Sequence, residues 1–304
     1  MNSRNSPCDD LLAFSRDAGI DAIAITPAGP VDSETIARYN GWIGNGYNAG
    51  MDYLNRYPEI RFNPEGLLPG AQSIVCCAVS YNHADSQPQG APKIASYAHG
   101  DDYHEVLREI LENLAAYIRE TRGGETRVCV DTAPIMERYW AWRSGLAFRG
   151  RSGLMIVPEL GTSFFLGEII TTASLPAVHH TDTVGCFNCG KCIVNCPGKA
   201  IMPNGSIDAR KCLSYLTIEH RGELPEDFST GNRLYGCDEC QRVCPHNKEA
   251  AMTREKRFLL RPAYESLTAD KIFAMTQEEF STLFRRSAIK RAKLEGLKRN
   301  ARHL

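Results

Sequence analysis

Eight of the twelve cysteines fall between Cys186 and Cys244, and their spacing is that of thiolates wrapped around iron–sulfur cubes. Cys186, Cys189, Cys192 and Cys196, followed by Pro197, read C-x2-C-x2-C-x3-C-P, the run of bacterial two-cluster ferredoxins. Three closely spaced thiolates can wrap three irons of one cubane, and the fourth, turned away at the Cys-Pro step, reaches a second cluster. Cys237, Cys240, Cys244 and Pro245 repeat the pattern one cysteine short, and Cys212, on a helix expected from Asp208 to Glu219, supplies the missing thiolate. The same cross-wiring assigns Cys186, Cys189, Cys192 and Cys244 to one [4Fe-4S] cluster, and Cys196, Cys212, Cys237 and Cys240 to the other. Two structural zinc sites are the alternative, because C-x2-C pairs also hold zinc. Zinc motifs, however, usually lack the third close cysteine and the paired Cys-Pro endings. Gly190 and Gly198 would let backbone N–H groups approach the sulfurs. Cys76, Cys77 and Cys129 sit in apolar strands and read as small core residues, and Cys8 as incidental.

The segment from His179 to about Lys248 is rich in Cys, Gly, Pro and Asn, so metal ligation rather than apolar burial organises it. Before it lies a stretch long enough for a domain of its own. Helical patterns are expected over Cys8–Ala18 and Tyr103–Thr121, where Val106, Leu107, Ile110, Leu111, Leu114 and Ile118 keep a 3.6-residue period. Strands are expected over Asp21–Thr26, Ser73–Tyr81, Thr126–Val130, Leu154–Val157 and Ser163–Thr171, and Pro134 reads as the first turn of another helix. This mixture implies an α+β protein: an N-terminal α/β domain over 1–178, a ferredoxin-like double-cluster module over 179–250, and a helical, basic segment over 251–304. With 304 residues, 43% hydrophobic content and a net charge of −1, nothing pulls the chain as a whole toward nucleic acid or membrane. No apolar run approaches the roughly 20 residues of a membrane span. Met1 to Asp10 carries neither a signal-peptide pattern nor twin arginines, so a cytoplasmic location is expected. Twelve cysteines in a reducing compartment point to metal ligands rather than disulfides.

Several segments ahead of the cysteine arrays carry a family resemblance. They are Met51-Asp-Tyr-Leu54, Arg61-Phe62, Leu68-Pro-Gly-Ala71, Tyr97-Ala-His-Gly-Asp-Asp-Tyr103-His104, Val130-Asp131-Thr-Ala-Pro134, Arg143-Ser-Gly-Leu146 and the run from Pro158 to Ile169. With the arrays following in order, the chain resembles the epoxyqueuosine reductases from about Asp9 to Asn300. The resemblance implies a corrinoid (cobalamin) held between the N-terminal domain and the cluster module. It also implies reduction of the epoxide of epoxyqueuosine, at the wobble position of certain tRNAs, to queuosine. Asp131 is implied as proton donor, and burial against an apolar corrin would raise its pKa toward that role. The plainer reading is that Asp131 satisfies free N–H groups near a helix start.

Tyr97, Tyr103 and His104 are candidates to line the corrin pocket, with Gly161, Ser163, Gly167 and Glu168 as a close-packed wall and Arg61 near its rim. The competing readings are ordinary hydrogen bonding for His104, a turn and strand edge for the wall, and solvated surface for Arg56 and Arg61. Phe164 and Phe165 read as core. Many family members continue into a helical-repeat region that helps hold tRNA, whereas this chain has the short form. Its basic tail (Arg285, Arg286, Lys290, Arg291, Lys293, Lys298, Arg299, Arg302) is therefore a candidate for phosphate contacts. The expected partners are the modified tRNA and an external donor of flavodoxin or ferredoxin type, with no membrane and a monomeric chain. A cobalamin-dependent reductive dehalogenase and a plain two-cluster electron carrier are the alternatives.

Overall fold

The computed structural model describes residues 8–180, 185–224 and 228–304, so part of the polar N-terminal stretch lies outside it. Chain order runs α1 (Asp9–Asp17), β1 (Ala22–Pro27), α2 (Ser33–Gly44), β2 (Ser73–Ser80), α3 (Tyr103–Arg122), β3 (Thr126–Cys129), α4 (Glu137–Arg143) and β4 (Phe164–Thr171). The four strands form one sheet in the order β1-β2-β4-β3, and every pairing is antiparallel. The domain is thus α+β. β2 is buried along its whole length because both faces of the sheet are covered.

Alternation along the strands divides the core in two. Val75, Cys77, Val79, Val128, Phe165 and Ile169 face α3, whose buried Val106, Leu107, Ile110, Leu111, Leu114 and Ile118 form the stripe expected from sequence. Burying each such side chain contributes roughly 1.5–3 kcal/mol. Asp102 caps α3 by accepting the His104 N–H, and Gly123, at φ 73°, ends it. Ala24, Ile74, Cys76, Cys129 and Ile170 face the other way, against Tyr139 and Trp140 of α4. Cys8, Cys76, Cys77 and Cys129 are all buried.

Three local expectations change. Pro134 lies in a bend, and α4 begins only at Glu137. The strand near Leu154 shrinks to Met155–Ile156, paired with Phe148–Arg149. The helix from Asp208 breaks into a 3-10 turn, Ala209–Lys211, and a helix, Leu213–Ile218, with Cys212 extended between them.

The cysteine-rich segment packs on the sheet through neutral side chains. Asn247 Oδ1 accepts the Thr162 N–H at 2.7 Å, and Gln241 Nε2 donates to the Tyr81 hydroxyl and the Thr162 carbonyl, both at 2.7 Å. Helices Pro262–Glu265, Ala269–Ala274, Gln277–Leu283 and Lys293–Ala301 build a third core that includes Ile94, Ile218, Leu234 and Tyr235. Among the described residues, no helix is long and apolar enough to cross a membrane.

Candidate active site and cluster ligands

The eight array thiols fall into two neighbourhoods. Cys186, Cys189, Cys192 and Cys244 line one small cavity closed by Gly150, Ser152 and Ile156. Burial pushes the Cys244 thiol up, and so do Cys186, Cys192 and Cys189 beside it. Around Cys240, burial acts together with Cys237, Cys212 and Cys196. Each neighbourhood is a crowd of thiols that iron would convert to thiolates. Among the described residues, no three His, Cys, Asp or Glu side chains gather as for a single metal ion. The donor set fits two cubes, and so does the backbone. The Ala200 N–H reaches Cys196 Sγ at 3.2 Å, and a Cβ on Gly198 would lie 1.8 Å from the Lys211 carbonyl oxygen, so only glycine fits.

The second constellation is built on the loop between β3 and α4. Asp131 carries φ 49°, a left-handed conformation that few side-chain-bearing residues adopt. Its N–H donates to Glu137 Oε1 at 2.6 Å. Its carboxyl is enclosed at the base yet opens on the cleft, with the side chain 56% exposed. His104 lies between two carboxylates, with Nδ1 at 2.7 Å from Asp102 and Nε2 at 3.0 Å from Asp131. Its ring stacks on Tyr103 at 4.0 Å, and Tyr103 stacks on Phe165 at 4.5 Å. Burial alone would lower the His104 pKa, but the hydrogen bonds and charges of Asp102 and Asp131 raise it to about 9. For Asp131, desolvation pushes upward, yet His104, Tyr103 and Arg138 together carry the carboxyl below its ordinary value. The imidazolium beside it favours the carboxylate, in the direction opposite to the rise that burial against a corrin would bring.

Across the cleft, Tyr53 lies under the Arg291 guanidinium, 5.6 Å from ring centroid, and Arg291 is bound to Glu219 at 2.7 Å. Burial and the nearby Glu219 push the Tyr53 hydroxyl up to about 12. Sequence reasoning missed Tyr53 as a site residue, although it stands inside one of the motifs, and missed Glu137, whose only signal is an acid at the first helical position after Asp131.

A family model described as "Epoxyqueuosine reductase QueG, DUF1730" matches residues 61–132, and one described as "4Fe-4S double cluster binding domain" matches residues 185–247. An epoxyqueuosine reductase of Cyclobacterium marinum is 36% identical over 287 residues, covering 93% of this chain and 91% of the relative. The chain belongs to the epoxyqueuosine reductase family. Among solved structures, an epoxyqueuosine reductase with an epoxyqueuosine-modified tRNA-Tyr stem loop superposes with TM-score 0.85 at 30% identity, over 96% of this chain and 79% of that one. The Bacillus subtilis epoxyqueuosine reductase, solved with its catalytic aspartate loop swung out of the active site, superposes with TM-score 0.83 at 29% identity and the same coverage. Epoxyqueuosine reductases are oxidoreductases, and this one carries a double [4Fe-4S] module in its second half.

Within this chain the sequence-derived site residues separate into three groups. Tyr97, Tyr103, His104 and Asp131 form a continuous line, with the Tyr97 hydroxyl donating to the Tyr235 hydroxyl at 3.2 Å. Gly161 and Ser163 lie where the cluster module meets the sheet. A Cβ on Gly161 would land 2.0 Å from Asn247 Oδ1, and Ser163 lines a cavity of about 710 Å³ that also touches Cys237. Gly167 and Glu168 do not reach a wall as expected. Strand alternation turns Gly167 under α3, where a Cβ would strike Leu111, and turns Glu168 inward under α4. Arg61 leaves its Nε buried without a partner, while its guanidinium lies over Tyr39 and reaches the Tyr53 carbonyl.

The basic tail is largely spoken for. Arg299 is buried on backbone carbonyls, while Arg286, Arg291 and Arg302 pair with Glu105, Glu219 and Glu223. Arg285, Lys290 and Lys293 remain exposed.

Proposed function

We propose that this chain reduces the epoxide of epoxyqueuosine in the anticodon of tRNA to the cyclopentene of queuosine, with Asp131 as the proton donor. The observation that carries this reading is the Asp102–His104–Asp131 line, which ends in a solvent-open carboxylate. The stem loop bound to one structural relative, and the catalytic aspartate loop of another, support the substrate class and the role of Asp131. The reaction takes up two electrons and two protons and releases the epoxide oxygen as water. Two [4Fe-4S] clusters, on the thiol sets Cys186/Cys189/Cys192/Cys244 and Cys196/Cys212/Cys237/Cys240, would supply electrons singly, and a corrinoid would supply a strongly reducing cobalt.

The cavity between the 82–96 loop, Ser163 and Cys237 is lined by Asp85, Lys93, Arg233, Asp238, Glu239 and Arg242 as well as amide and apolar groups, and Tyr103, His104 and Asp131 lie outside its lining, so the corrinoid is assigned to the Asp131 side by the family resemblance alone. His104 holds a proton at neutral pH and hydrogen-bonds Asp131. As negative charge develops on the substrate oxygen, the proton leaves His104 Nε2 for the Asp131 carboxylate, and Asp131 delivers it to that oxygen. The exposed Arg285, Lys290 and Lys293 are the tail cations open to phosphate, and a flavodoxin- or ferredoxin-type donor is the electron source. The chain is expected to act as a monomer in the cytoplasm.

The test is Asp131→Asn. Both clusters and cobalamin should bind as in the parent enzyme, while epoxyqueuosine persists in the tRNA by nucleoside mass spectrometry. Normal turnover by that variant would remove Asp131 from the mechanism.

A further inference from the structure

Behind Asp131 lies a second layer of acid that the reaction as described does not use. The left-handed turn at Asp131 aims its N–H into the protein, where Glu137 accepts it at 2.6 Å. Glu137 is the first residue of α4, so one side chain closes the loop onto the helix that follows it. Deeper still, Glu168 projects from the middle of β4, opposite Cys76 on one side and Cys129 on the other. It is 0% exposed, and neither of its carboxyl oxygens has a hydrogen-bond partner. A carboxyl in that setting is tolerated as the neutral acid and not as an anion.

We propose that Glu137 is a positioning residue that clasps the Asp131 loop into the site as a neutral acid, with Glu168 kept neutral behind it. The stack of three acids then carries its one negative charge at the mouth, on Asp131, where His104 and Arg138 face it. At Glu137, Arg138, His104 and the Asp131 N–H favour the anion, and burial together with the Asp131 charge outweighs them. Glu137 faces Asp131, Arg138, His104 and Tyr103, and Glu168 faces Glu137 with Cys76, Cys77 and Cys129 on the flanking strands. Burial pushes both glutamates up, reinforced for Glu137 by the Asp131 charge and for Glu168 by Glu137. A clasp of this kind helps account for the strained turn, because the Glu137 acceptor and the His104 bond together offset the left-handed backbone of Asp131.

The inference rests on Asp131 being the donor, and the experiment separates the two. In the holoenzyme, Glu137→Ala should lower kcat on the order of tenfold to a hundredfold with little change in KM. It should also raise amide exchange over residues 130–136 by about tenfold or more. Glu137→Gln, a neutral isostere that keeps the acceptor, should stay within about threefold of the parent in both readings, and Glu168→Gln likewise. Glu137→Met, which fills the space without accepting a hydrogen bond, should behave as the alanine variant and serves if the alanine protein folds poorly. Parent-like kcat and exchange in the alanine or methionine variant overturn the clasp, and inactivity of either glutamine variant overturns the neutral stack. If Asp131→Asn turns over normally, the donor assignment fails instead.

Discussion

The His104 imidazole should titrate far above an ordinary histidine, and removing Asp131 should bring it part of the way back. Burial disfavours the cation, yet the two flanking carboxylates carry the pKa from 6.5 to about 9. That interval is worth roughly 3 kcal/mol of preference for the imidazolium at about 1.4 kcal/mol per pH unit. The two partners do not share it equally. Asp102 is nearer, at 2.7 Å, and its side chain is 24% exposed, whereas Asp131 is at 3.0 Å and 56% exposed. Water screens the Asp131 half, so Asp131→Asn should lower the midpoint by about one pH unit. Asp102→Asn should lower it further while keeping an acceptor for the helix cap.

The assay is the imidazole carbon chemical shift of histidine-labelled protein followed from pH 5 to 10. Because the folded value lies above the free one, this cluster's contribution to stability is complete below pH 6.5 and fades as pH rises through about 9. A midpoint near 6.5 in the parent, or one that ignores the loss of Asp131, would refute the reasoning.

Two further outcomes are expected. Cys192→Ala should lose the cluster of the Cys186 set and Cys196→Ala the other, each halving iron and sulfide; if both variants lost the same cluster by electron paramagnetic resonance, the cross-wired assignment would fail. Arg299→Met leaves the carbonyls of Leu216, His220 and Gly222 without their donor, at a cost of about 3 kcal/mol or more. The apparent melting temperature should then drop by several degrees, and an unchanged value would contradict the role given to that side chain.

What the sequence made legible followed from local periodicity and spacing. The α3 stripe repeats every 3.6 residues and became a buried face. The cysteine arrays fix their chemistry within short loops, so the thiols could be sorted before any fold was known. What stayed hidden depends on contacts across long separations. Glu168 and Gly167 look like neighbours on one wall, but alternation on a strand covered on both faces sends them to opposite cores. Tyr53 meets Arg291 and Glu219 only after three distant segments converge. Pro134 suggested a helix start, yet the turn that aims Asp131 occupies that stretch and delays α4 to Glu137. Which tail cations are paired was also hidden, because Arg286, Arg291 and Arg302 find their carboxylates in segments far away in sequence.

Where the cluster module meets the end of the sheet, Asn247 packs against Gly161 and Thr162, and Gln241 against Tyr81 and Thr162. None of these groups carries charge, so these contacts should be indifferent to ionic strength, unlike the Asp238 carboxyl that accepts from Ser96 nearby. Electron tunnelling weakens steeply as the gap between redox centres widens. Uncharged, close-fitted contacts of this kind would keep such a gap the same as the salt concentration changes.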